Sequence, residues 1–98
     1  MTVGGKSVHQ GGCLCGAVRF EATGAPKWVV NCHCRSCRRH TASPMTTFTG
    51  FADENFTIVA GEPKVFESSP QTWRTFCGDC GTPLTYFADW DPGMVHLY

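Results

Sequence analysis

From Gly11 onward the chain is a series of short runs in which apolar and polar positions alternate, separated by turn residues. In "AVRFEA", Val18 and Phe20 fall on one face and Arg19 and Glu21 on the other, the period-two pattern of a half-buried strand. "KWVVNC" is a second such run, and "PMTTFTGF", rich in threonine and phenylalanine, a third. "FTIVAG" and "KVFES" flank the turn signal "GEP", which predicts a hairpin. "RTFC", "PLTYFA" and "MVHLY" complete the set. No window carries a sustained helical stripe, and only "RSCRRHTA" has room for a short helical turn. The pattern predicts an all-β domain of short antiparallel strands over residues 11–98, preceded by a flexible lead-in, residues 1–10. "MVHLY" reads as a strand that stops at the last residue with no turn or cap after it, so the sequence is expected to be truncated at its C-terminus.

Composition sharpens this picture. A chain of 98 residues buries only about 60–65% of its extended surface on folding, so a metal or disulfides are expected to supplement a thin core. Seven cysteines meet that need, and their odd number counts against a complete disulfide framework. "MTVGGKSVHQGG" lacks the apolar run of a secretory signal, and no later stretch is long enough to span a membrane. The expected location is therefore the reducing cytoplasm, where clustered thiols are metal ligands more often than disulfides. Eight basic residues balance eight acidic ones. Without a basic excess to release phosphate counterions, nucleic acid is not an expected partner.

The cysteines fall into three groups: Cys13 and Cys15; Cys32, Cys34 and Cys37; Cys77 and Cys80. "CGDCG" is a C-x-x-C knuckle whose glycines permit a tight turn, and C-x-C in an extended segment directs both side chains to one face. A closed structural zinc takes four thiolates from two such arms, which pairs Cys13 and Cys15 with Cys77 and Cys80. Cys32, Cys34 and Cys37 remain as a triplet with no fourth cysteine, the ligand count of a catalytic zinc. Other divisions stand beside this one. The knuckle is a disulfide if the fold is thioredoxin-like, although the βαβ context is missing. Alternatively Cys77 and Cys80 join two of the middle thiols, or His40 closes the triplet as a Cys₃His structural site. His33, between two ligands, is expected to point away from their ion.

Three thiolates and one divalent zinc sum to a single negative charge, which Arg35, Arg38 and Arg39 are placed to offset. They suit equally a substrate carboxylate, or plain solvation on the surface. Arg38, Arg39, Ser69 and Arg74 are taken as anion contacts on charge and on nearness in sequence to the cysteine arms. His9 and His96 read as surface or packing residues, and Trp28, Trp73 and Trp90 as core or rim. There is no phosphate loop, no nucleophile elbow and no spacing that singles out a pair of carboxylates.

"GGCLCGAVRF", "CHCRSCRRHTASP" and "SSPQTWRTFCGDCGTPL" together resemble the glutathione-dependent formaldehyde-activating enzyme family, which also contains centromere protein V. The resemblance runs from Gly11 to about Tyr86. It implies a β-tent, antiparallel sheets pinned by zinc. It also implies a structural ion on Cys13, Cys15, Cys77 and Cys80 and a catalytic one on Cys32, Cys34 and Cys37, two zincs per chain. The implied activity is that of a carbon–sulfur lyase condensing glutathione with formaldehyde to S-hydroxymethylglutathione. Family members commonly carry glycine at the position of Ala42, so the turn after the triplet is expected to differ here. The alternative is a non-catalytic, zinc-stabilised protein-binding module or thiol-metal sensor. Oligomeric state is not legible.

Overall fold

The computed structural model describes residues 2–3 and 6–98. Strands account for 53% of the chain, so the all-β expectation holds. Ten strands form two antiparallel sheets: β1 (Thr2–Val3), β2 (Lys6–Gly12), β3 (Arg19–Thr23), β4 (Trp28–Cys32), β5 (Thr46–Ala52), β6 (Phe56–Ala60), β7 (Lys64–Ser69), β8 (Thr72–Phe76), β9 (Pro83–Ala88) and β10 (Met94–Leu97). One sheet has the order β1-β2-β3-β6 and the other β4-β5-β10-β9-β8-β7. The helical turn expected at "RSCRRHTA" is α1 (Arg35–Thr41), and a short 3₁₀ turn covers Asp53–Asn55. Among the described residues no helix is long and apolar enough to cross a membrane.

Two expectations are corrected. The lead-in is largely strand: Lys6–Gly12 pairs with β3, from Val8 opposite Thr23 to Gly12 opposite Arg19. Its glycines are there for close approach, since a Cβ on Gly11 would lie 2.6 Å from Phe20 Cζ. The "GEP" segment does not close a hairpin. β6 pairs with β3 in one sheet and β7 with β8 in the other. Gly61, at φ 76°, passes so close beneath Ala17 that a Cβ would lie 2.1 Å from its carbonyl oxygen, and Pro63 follows with no N–H to donate. The link is a crossover between sheets.

The main core lies between the sheets, where Val18, Phe20 and Ala22 meet Phe51, Leu84, Val95 and Leu97, with Phe56 and Ile58 packed on the cluster. The alternation of β10 puts Val95 and Leu97 into this core, while His96 and then Tyr98 join aromatic contacts on the opposite face of the larger sheet. On that face a single cross-strand row spans six strands: Phe66 opposite Arg74, Arg74 opposite Tyr86, Tyr86 opposite His96, His96 opposite Gly50, and Gly50 opposite Trp28. His96 stacks on Tyr86 at 4.3 Å and 11°, and the Arg74 guanidinium carbon lies 5.3 Å from the same tyrosine ring centroid. Trp28 occupies the space above Gly50, where a Cβ would come within 2.5 Å of its indole nitrogen. Its 38% exposure places it on the rim, as expected. His96 is a packing residue, 3% exposed, with Nε2 2.9 Å from Asp91 Oδ2.

Candidate metal centres

All seven cysteines are free thiols, and their sulfurs gather as four and three. Cys13, Cys15, Cys77 and Cys80 have sulfurs within 4.8 Å of one another, and so do Cys32, Cys34 and Cys37. Cys13–Cys15 is 3.6 Å and Cys15–Cys77 is 3.8 Å. Tetrahedral zinc with Zn–S near 2.3 Å requires sulfurs about 3.8 Å apart, so the first set has the dimensions of a zinc site. Its "CLC" arm is a turn, not an extended segment. Gly16, at φ 84°, brings its N–H back to the Cys13 carbonyl at 3.3 Å, and the two sulfurs converge all the same.

Backbone amides prepare these sulfurs for negative charge. Val18 N–H donates to Cys13 Sγ at 3.2 Å and Asp79 N–H to Cys77 Sγ at 3.4 Å. Thr82 ties the arms together: Leu14 N–H donates to its hydroxyl oxygen at 3.1 Å, and that hydroxyl lies 3.1 Å from Cys80 Sγ. The Thr82 hydroxyl and amide pull the Cys80 thiol down to about 5. The Ala17 amide favours a Cys15 thiolate, but the adjoining Cys13 and Cys80 sulfurs outweigh it and push Cys15 up to about 12. Sulfurs this close compete for negative charge, and a shared cation is what lets all four ionise together.

The triplet is assembled locally. Cys32 ends β4, opposite Thr46 of β5. Cys34 is the N-cap of α1, its sulfur accepting from Cys37 N–H at 3.3 Å, and Cys37 is buried in the first turn. The helix is held to β5 through Thr41, whose hydroxyl donates to the Cys37 carbonyl and meets the Thr46 hydroxyl, both at 2.9 Å. Burial, and then the Cys34 and Cys32 sulfurs, push Cys37 up to about 12, against the pull of Arg74. Among the described residues no histidine or carboxylate joins this group, so His40 does not close it. His40 instead faces Tyr98, ring centroids 5.6 Å apart, with a buried Nε2 that has no hydrogen-bond partner. Burial, and then Arg74, hold its imidazole below the ordinary histidine range. After the helix Ala42 adopts φ 57° and ψ 31°, so alanine here takes the left-handed conformation that glycine adopts freely.

The arginine contacts differ from those expected. Arg35, Arg38 and Arg39 are exposed. Buried Arg74 is the one that reaches a sulfur, donating from Nη1 to Cys37 Sγ at 3.7 Å and also to the Tyr98 hydroxyl. Its Nε donates to Ser68 Oγ at 3.0 Å. The pairing of β7 with β8 slips between Glu67 and Ser69, and the residue at that slip, Ser68, is the one on Arg74; Ser69 is exposed. Beside this group a cavity of about 330 Å³ is lined by Ser36, Arg39, His40, Phe66, Ser68 and Arg74. Arg38 does not line it. A larger cavity, about 630 Å³, lies by Phe56, Ile58, Phe87 and Met94; no cysteine lines either cavity, and the smaller one reaches the triplet through Arg74. The smaller one is the one beside reactive groups. Sequence spacing had no means of finding Ser68, Phe66 or Tyr98, whereas Thr82 stood in plain view in "CGTPL".

Residues 8–98 match the family model described as glutathione-dependent formaldehyde-activating enzyme. The chain belongs to that family. An uncharacterized lyase of Schizosaccharomyces pombe is 34% identical over 80 residues, 82% of this chain and 57% of the relative, so the chain spans little more than half of that protein's length. A crystal structure of a Rhodobacter sphaeroides protein shares the fold with a TM-score of 0.76 at 20% identity, covering 91% of this chain and 83% of the other. Both cysteine clusters could hold a metal ion.

Proposed function

We propose that the chain is a zinc-dependent carbon–sulfur lyase that forms and breaks the adduct between a thiol and an aldehyde, with glutathione and formaldehyde as its substrates. The observation that carries this reading is the three-thiol cluster with Arg74, which also lines a cavity, on one of its sulfurs, and with no fourth protein ligand in the group among the described residues. Cys13, Cys15, Cys77 and Cys80 would hold a structural zinc, and Cys32, Cys34 and Cys37 a catalytic one. Zinc held by the second set would supply Lewis acidity and stabilise a thiolate at neutral pH.

The chain's own residues do the rest. Arg39 lines the cavity with a guanidinium that suits a glutathione carboxylate, and Phe66 forms an apolar wall beside it. The thiol sulfur attacks the aldehyde carbon, a C–S bond forms, and the C=O π pair becomes an alkoxide. The thiol proton ends on that oxygen. His40 also lines this cavity, its imidazole held below the ordinary histidine range by burial and then by Arg74. Nothing is oxidised or reduced, so no redox cofactor enters.

The test is magnetisation exchange between free glutathione and its hydroxymethyl adduct, measured by NMR at equilibrium, where the uncatalysed exchange is the baseline. The zinc-loaded chain is expected to accelerate exchange, and Cys34→Ser to return it to baseline. An unaltered, fully loaded chain that leaves the baseline unchanged would rule the reading out.

A further inference from the structure

We infer that Arg74 is the counter-ion of the three-cysteine cluster, and that its charge makes the cluster prefer an anionic thiolate to a neutral ligand as its exogenous partner. This rests on the reading of Cys32, Cys34 and Cys37 as metal ligands.

The first observation is burial. Arg74 is 6% exposed and its guanidinium keeps its charge at any pH at which the protein is folded. A buried charge with no opposite charge near it is strongly destabilising. Among the described residues the one acid–base pair within 4.0 Å is His96 with Asp91, so no carboxylate answers Arg74. Its neighbours are the Ser68 hydroxyl, the Tyr98 hydroxyl, the face of Tyr86 and Cys37 Sγ. Serine does not ionise, and a tyrosine phenol is neutral at pH 7. Cys37 alone can carry the matching negative charge, and a metal-bound thiol is a thiolate.

The second observation is the charge count. Three thiolates and a divalent cation sum to −1, and Arg74 brings the group to zero. An incoming thiolate then meets a neutral centre instead of a negative one. Arg35, Arg38 and Arg39 cannot substitute, because they are exposed and screened by water and salt. Among the described residues no arginine or lysine is hydrogen-bonded to a sulfur of the four-cysteine cluster: Arg19 reaches the Cys13 carbonyl, 3.5 Å away, and exposed Lys64 lies over Gly78. A set that already holds four thiolates has no use for a fifth.

The experiment replaces zinc by Co²⁺, whose charge-transfer bands report thiolate ligands, and titrates 2-mercaptoethanol and imidazole. The first has its thiol as sole ionisable group, so it cannot bind Arg74 through a carboxylate; the second is a neutral ligand. The cobalt bands of a closed four-thiolate set do not respond to either. In Arg74→Gln the affinity for 2-mercaptoethanol is expected to fall at least about tenfold, from the lost charge, with imidazole affinity little changed. Arg74→Lys, which keeps the charge, is expected to stay within a few-fold of the unaltered protein for both ligands, and it carries the test if Arg74→Gln does not fold. Equal losses for thiol and imidazole in Arg74→Gln, or loss of thiol preference in a cobalt-loaded Arg74→Lys, would overturn the assignment. A triplet that takes no cobalt in the unaltered chain overturns the metal reading beneath it, and is told apart by the absence of a second set of bands.

Discussion

Cys13, Cys15, Cys77 and Cys80 come from two turns, Cys15 and Cys77 lying 62 positions apart, whereas Cys32, Cys34 and Cys37 come from one strand end and the helical turn that follows. The first group is wrapped in backbone amides and one threonine, and it fastens the β2–β3 turn to the β8–β9 turn. The second sits on the outer face of the larger sheet, with a buried arginine on one sulfur and a cavity at its side. A group that fastens distant parts of the chain is expected to carry fold stability, because a long loop gains most from being closed. A group assembled from neighbours adds little to the fold and is left available for chemistry.

That contrast can be broken experimentally, and the largest effect is expected at the long-range group. Cys77 is 1% exposed and anchors both the core and the cluster. Cys77→Ser is expected to abolish the cooperative thermal transition, since structural zinc contributes on the order of 10 kcal/mol in small metal domains. A clean melt within a few degrees of the unaltered protein would refute the assignment. Next comes Gly61→Ala, which drives a Cβ into the Ala17 carbonyl behind the first cysteine arm at a backbone angle alanine dislikes. Urea denaturation should show a loss of about 2 kcal/mol or more. Cys34→Ser, at an exposed position in the local group, should remove one zinc per chain by native mass spectrometry while changing stability by less than about 1 kcal/mol, because serine is itself a favoured N-cap for α1. Loss of folding in that variant would mean that both groups are structural. The smallest effect belongs to Ala42→Gly. Relief of the left-handed alanine, offset by the added freedom of the unfolded chain, should raise stability by less than about 1 kcal/mol with both metals retained.

Much of this arrangement was legible in the residues. Runs of β-branched and aromatic residues between turn signals located strands β3 to β10; in β3 the alternation follows burial of one face, whereas β4 and β7 lie almost wholly exposed. The division of cysteines into four and three follows from arm spacing, and the sulfurs are gathered in the same groups. Partnership across space was not legible. "FTIVAG" and "KVFES" look like a hairpin locally, but Gly61 and Pro63 send the second strand to the other sheet. β2 was hidden because its pairing runs through backbone groups and glycines, which leave little side-chain pattern. Arg35, Arg38 and Arg39 stand next to the triplet in sequence and end in solvent, while Arg74, 37 residues from Cys37, lies against its sulfur. Ser68 reaches Arg74 from an irregular step in strand pairing, which no composition rule signals.

The separation of the two cysteine arms also sets an order of events during synthesis. Cys32, Cys34 and Cys37 are all present once a short stretch of chain has left the ribosome, and they need no distant partner to capture an ion. Cys13 and Cys15 must wait for Cys77 and Cys80, and meanwhile they are bare thiols on an unfinished protein. If both sets take zinc as proposed, the earlier one would have first access to it, and the later one would claim it only as the larger sheet closes. Growth under zinc limitation should then yield nascent chains that have loaded the triplet and failed to fasten the fold, a population sensitive to proteases and rescued by zinc added after translation.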